Sequence, residues 1–305
     1  MVQPLSFVRQ WGSTVGRGLS QIFFHTKIPT GLLILAACVV QDWRMAVLVV
    51  LGSLASSMGG CLVGFSTAGI RNGLQGFCGA LAGAAAFAGI GGVWQAYPIA
   101  VVGGLLCAPV TWAMVWVFSR GPLKALELPP TTAPFCIVAT GILWATGPLH
   151  TTTDLLPARP TDLGAFVQSL LTNISQVVLV DSFLGGGLIL AGLFLAGWKV
   201  GLAALLGSAV GSLCALAMNV NLQQTGNGLA GYSGVLTAIA FAVVFNRGTW
   251  EPWLLAVAGT GVTAVVTLVM HRLAGPTYTW PYILTLWAGL AVVHFVPRLH
   301  RYGPA

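Results

Sequence analysis

The sequence predicts an all-α integral membrane protein made of two inverted, pseudo-symmetric repeats, each of about five transmembrane helices plus one half-membrane helix. Three observations lead there: a composition almost without charge, whole blocks of sequence that recur at a fixed spacing, and proline-broken segments in matching places of the two halves. The 305 residues are 56% hydrophobic and 6% charged, whereas a soluble domain carries about 25% charged residues. Apolar runs such as 45–62 and 101–118 have the roughly 20-residue length that crosses a bilayer. About twelve apolar segments can be counted, six per half, and some, notably 31–40 and the stretch before Thr132, are too short or interrupted to cross.

The recurrence is the second observation. Asn72-Gly73-Leu74-Gln75-Gly76-Phe77 returns as Asn227-Gly228-Leu229-Ala230-Gly231-Tyr232, a shift of 155 positions. The same shift carries Ser20-Gln21 onto Ser175-Gln176 and Leu33-Ile34-Leu35-Ala36 onto Leu188-Ile189-Leu190-Ala191. Two similar halves in an apolar chain point to a transport path formed between repeats. The halves are read as 1–150 and 165–297, joined by a polar linker over 151–164 that is rich in Thr, Pro and Asp.

Charge placement sets the expected topology. Arg9 and Arg17 lead the chain and Arg298 and Arg301 close it, so the positive-inside rule puts both termini in the cytoplasm and requires an even number of crossings. The linker, with Asp154, Arg159 and Asp162, is near neutral and suits the opposite side. An odd number of crossings per half then inverts the second half relative to the first. The N-terminus is polar and amphipathic, without a signal-peptide apolar core. The six acids, Asp42, Glu127, Asp154, Asp162, Asp181 and Glu251, fall mostly where apolar runs break, since a charge at the bilayer centre costs at least about 2.5–3.5 kcal/mol. The net charge of +7 is scattered, which argues against nucleic-acid binding. The six cysteines lie in apolar segments without metal-ligand spacing and read as small buried thiols. No cofactor or metal is expected.

The third observation carries the chemistry. In Leu128-Pro129-Pro130-Thr131-Thr132-Ala133-Pro134-Phe135 the prolines lack N–H groups and disfavour a continuous helix, while Pro134 suits the first turn of a new one. Broken backbone at membrane depth survives only when buried in protein or lining a polar cavity. The alternative is an interfacial helix start with threonine as its cap. The recurrence of the frame as Pro276-Thr277-Tyr278-Thr279-Trp280-Pro281-Tyr282, at a shift of 147, favours the first reading. Gln21 and Gln176, matched by the repeat and each beside a serine, are candidates to line the path. Gln75 has Ala230 as its repeat counterpart and reads as packing or loop-end hydrogen bonding. The histidines are not paired as an ammonia path would require, and read as interfacial or singly hydrogen-bonded. Tryptophans such as Trp43, Trp94 and Trp253 sit near segment ends, as an interfacial belt does.

The segment Leu128–Phe135 resembles, in full, the Leu-Pro-x-x-Thr-x-Pro-Phe signature of the urea transporter (urea channel) family, and the paired Gly73–Phe77 and Gly228–Tyr232 elements resemble that family's Gly-Leu-x-Gly-Phe. The second signature departs from the pattern at Gly275 and Tyr282. The resemblance covers roughly residues 15–295. It implies a passive channel with one pore between the halves and a tilted half-membrane helix in each, and usually a homotrimer in the cell membrane, here expected to be a bacterial inner membrane. Carried over, it implies that Gln21, Gln176, Thr132 and Thr279 supply polar groups along the pore. Phe24, Phe77 and Tyr232 supply flat aromatic slots, with Leu179 at the repeat position of Phe24. The expected partners are urea, small amides and membrane lipid. Two alternatives remain: an intramembrane lipid-group transferase, which would need convergent acids, histidines or metal ligands, and an ion-coupled carrier of small amides, for which Asp181 and His25 come nearest to qualifying.

Overall fold

The computed structural model describes residues 4–150, 157, 159–274, 277–296 and 300–301. Half of the expected linker, with Asp154, lies outside the described residues, as do Gly275-Pro276 of the second signature and Arg298. Among the described residues eight α-helices come first: α1 Pro4–Gln21, α2 Ile28–Gln41, α3 Trp43–Leu62, α4 Thr67–Arg71, α5 Gly76–Ile90, α6 Ala96–Phe118, α7 Gly121–Leu126 and α8 Ala133–Ala145. Seven follow: α9 Asp162–Gln176, α10 Phe183–Ala196, α11 Trp198–Ala217, α12 Leu222–Gly226, α13 Tyr232–Ile239, α14 Glu251–Ala274 and α15 Trp280–Phe295. A two-residue antiparallel pairing of Asn246–Arg247 with His300–Arg301 is the β structure among the described residues.

The repeat seen in the sequence is a repeat of elements. Helices α10, α11 and α12 begin 155 residues after α2, α3 and α4, and α15 begins 147 after α8. Among the described residues four helices are long and apolar enough to cross a membrane, α3, α6, α11 and α14, which correspond in pairs across the repeat. The remaining apolar helices, α2, α5, α8, α10, α13 with its continuation to Val244, and α15, are shorter. Local sequence explains several boundaries. Pro29 and Pro134 occupy the first turns of α2 and α8, where a missing N–H is harmless. The Asp42 carboxylate accepts from Arg44 N at 2.7 Å to start α3. Ser66 and its counterpart Asn221 cap α4 and α12 through side-chain oxygens.

Chain contacts divide the molecule into two compact units, residues 1–115 with 132–154, and residues 116–131 with 155–305. In the first, α3 packs against α5 at backbone distance: a Cβ placed on Gly52 would lie 2.1 Å from Gly79 O, and one on Gly79 equally close to Gly52 O. Such small-residue contacts replace the hydrophobic drive that lipid cannot supply between helices. The buried side chains of this unit include Phe23, Ile34, Met45, Leu48, Leu81 and Phe135. Of the six cysteines, all free, Cys38, Cys78, Cys107 and Cys136 are buried, but Cys61 is exposed and Cys214 half-exposed. The expectation of six buried thiols therefore fails at two. In an apolar helix, a thiol is compatible with either a packed or a lipid-facing position.

In the second unit α11 and α13 meet in the same way, through Gly207 and Gly234. Trp287 of α15 anchors the 116–131 segment. Its indole Nε1 donates to the Pro129 carbonyl at 2.8 Å, and its ring meets Phe118 edge-on with centroids 5.3 Å apart. The proline pair thus frees a carbonyl from helical pairing, and a side chain of the same unit satisfies it. Deeper in this unit the Asn173 amide donates to Ser208 Oγ at 3.0 Å and Ser212 Oγ at 2.8 Å. The repeat counterpart of Asn173 is Gly18, and the hydroxyls of Ser53 and Ser57 in that half are buried without a hydrogen-bond partner. Asn173→Ala is expected to cost about 1–3 kcal/mol of stability by removing the buried hydrogen bonds that its amide donates to Ser208 and Ser212. The cost should read as a lower midpoint of thermal unfolding in detergent, and an unchanged midpoint would refute it.

Candidate functional site

The candidate site is assembled where helices stop. After α1 the chain turns through Phe24 with φ +66°, and after α9 through Leu179 with φ +61°. Both turns are closed identically, with Phe24 N donating to Gln21 O at 2.9 Å and Leu179 N to Gln176 O at 3.0 Å. Just before α8 and α15 the chain again turns left-handed, at Thr131 with φ +48° and Tyr278 with φ +43°. These four of the six non-glycine residues with positive φ, matched two by two, form an uncommon pattern. Strained backbone of this kind clusters at functional sites.

In the second unit these breaks converge on one cavity of about 370 Å3, lined by Gln176, Leu179, Gln224, Leu229, Tyr232, His271, Thr277 and Tyr278. Three of the residues picked out by sequence, Gln176, Leu179 and Tyr232, are therefore brought together. Gln176 is buried, and its amide donates to Asp181 Oδ1 at 3.4 Å. Tyr232 opens α13 with its ring buried and its hydroxyl donating to the Tyr278 carbonyl. The hydroxyl is thus engaged with backbone. Thr279 lies one residue past the lining and is 2% exposed. Leucine and tyrosine faces give apolar walls, while the amides, hydroxyls and imidazole give hydrogen-bonding groups. This is the make-up of a small-molecule site: mostly apolar, with a few placed polar groups.

In the first unit the matched residues hold the same chain positions with different partners. Gln21 is half-buried at the end of α1, and its amide donates to Asn72 O at 3.2 Å. Phe24 occupies the left-handed turn, and Phe77, half-buried, is the second residue of α5. Thr132 is 4% exposed at the start of α8. Neither Thr132 nor Thr279 caps its helix through its side chain, so the reading as simple interfacial caps is not supported at either copy.

A model of the urea transporter family matches residues 13–294. The chain belongs to the urea transporter family. Urea transporter 1 of Ovis aries is 28% identical over 318 residues, covering 98% of this chain and 80% of that relative. Urea transporter 1 of Rattus norvegicus is 27% identical over 313 residues, covering 96% and 80%. The match takes in both signatures and both Gly-Leu-x-Gly-aromatic elements.

Membership of the urea transporter family makes this chain a transporter and not an enzyme. It leaves the assignment of individual residues to geometry. Sequence reasoning missed Gln224, Leu229, His271, Thr277 and Tyr278 of the cavity. Leu229, Thr277 and Tyr278 sit inside the two recurring motifs, so the motifs themselves were the available signal. His271, in the last turn of α14, and Gln224, in the short α12, have no matching residue in the other half and left no mark in the repeat.

Proposed function

We propose that the chain conducts urea passively across the membrane, with the broken-helix elements of both halves supplying its hydrogen-bonding groups. The observation that carries this reading is the convergence of Gln176, Leu179 and Tyr232 on one cavity in a urea transporter family member. Urea is planar and uncharged, with four N–H donors and one carbonyl. Stripping water from an amide without replacement costs about 2–7 kcal/mol. Amide, hydroxyl and backbone oxygens placed in succession can replace that water while holding each pose weakly enough for release. In this reading Gln21, Gln176, Thr132 and Thr279 exchange hydrogen bonds with urea, and Phe24, Phe77, Leu179 and Tyr232 press on its flat faces. Apolar walls offer nothing to a hydrated ion.

The test is urea uptake into proteoliposomes, with and without an imposed proton or sodium gradient. Uptake at the same initial rate in both conditions is expected, and uptake that requires a gradient would refute passive conduction. A specific contact motivates that second arm. The carboxylate of Asp181 meets the Gln176 amide at 3.4 Å, so an ion-coupled carrier would have an ionisable group beside its solute.

A further inference from the structure

Tyr232 stands where the first half has Phe77, and its hydroxyl belongs to a chain of hydrogen bonds whose direction can be deduced. A backbone carbonyl only accepts, so the single phenolic proton goes to Tyr278 O. The contact between Tyr232 Oη and Thr277 Oγ1, at 3.2 Å, must then use the proton of Thr277. With that proton committed, Thr277 Oγ1 can only accept from His271 Nε2, 3.3 Å away. The imidazole therefore carries a proton on Nε2, and the chain runs one way: His271 to Thr277 to Tyr232 to the Tyr278 carbonyl. All four residues line the same cavity.

We propose that Thr277 and His271 are positioning residues that fix the Tyr232 ring as a rigid wall and so set the widest solute the cavity admits. The inference rests on the urea reading above. The ring is held at its Cα by the start of α13 and at its para position by two partners. A phenylalanine there would keep the first hold and lose the second. With both ends fixed the ring cannot tilt aside for a solute broader than urea. The hydroxyl also cannot donate to a solute, because its proton is already given to Tyr278 O. The second half thus acquires a wall of set position that the first half, with Phe77, does not share.

Permeability to urea and to N,N′-dimethylurea would be measured in proteoliposomes by stopped-flow light scattering. In wild type, urea permeability above that of empty vesicles tests the functional reading separately; its absence refutes that reading and this inference together. With that in place, Tyr232→Phe and Thr277→Val should each raise the dimethylurea-to-urea ratio by about threefold or more, a modest step on the scale of methyl-group discrimination. Thr277→Ser, which keeps the hydroxyl, should leave the ratio at wild type. The double variant should match the singles, because both cut one chain. An unchanged ratio in Tyr232→Phe, a change confined to Tyr232→Phe, or additive effects would overturn the proposal. A readout independent of any variant is the 15N shift of His271 Nε2 in lipid: a protonated nitrogen is expected, and an unprotonated one would overturn the chain.

Discussion

Replacing Gln176 with leucine is expected to lower urea permeability between about fivefold and a hundredfold, with the protein still folded. The amide is a polar group on the wall of the second unit's cavity, and leucine is of similar size without a donor or acceptor. A solute group left without its partner at the barrier loses about 1–3 kcal/mol, and each 1.4 kcal/mol or so is tenfold in rate. The same reasoning applies in the first half to Thr132→Val, which removes one buried hydroxyl and changes the shape little. Both variants would be reconstituted at equal protein density, checked by size-exclusion profile, and compared in urea uptake. Wild-type uptake in a well-folded Gln176→Leu would remove that amide from the path, and the same outcome for Thr132→Val would remove the threonine.

Gly228→Ala is expected to abolish folding or stable extraction. Gly228 has φ +78°, a region costly for any residue with a Cβ. Moreover, a Cβ there would lie 2.5 Å from Asn173 N, a backbone atom that cannot turn aside. The methyl would drive the loop before α13 off the end of α9. That loop and helix end supply Leu229, Tyr232 and Gln176 to the cavity, so any residual folded protein should also lose urea uptake. Gly73 has the same geometry in the first half, with φ +82° and a Cβ position 2.3 Å from Gly18 N. A monodisperse, thermally normal Gly228→Ala would show that this contact relaxes at little cost.

The order of helices and breaks was readable because it is written locally and written twice. Proline pairs end helices, Ser66 and Asn221 begin them, and Gly73 and Gly228 permit turns, each by the chemistry of one or two residues. The recurrence at one spacing then lent each weak local signal the support of its copy. The cavity residues Gln176, Leu179 and Tyr232 have repeat partners in Gln21, Phe24 and Phe77, and the repeat together with the family resemblance singles them out. The repeat could not find His271 or Gln224, which have no matching residue in the other half. Nor could it show that the Tyr232 hydroxyl is turned into a chain with Thr277 and Tyr278, or that Pro129 is held by an indole far along the sequence.

By itself, then, the sequence determined the class of molecule, the recurrence of its elements and the positions at which the helices break, because proline, glycine and capping side chains act on their own neighbours. Tertiary structure decided which polar groups converge and which of their protons are already committed. Tyr232 and Thr277 meet across 45 residues, and that meeting depends on how α9, α13, α14 and α15 pack. No spacing or repeat encodes such a contact, since it arises from the sum of many small van der Waals and hydrogen-bond terms along those helices.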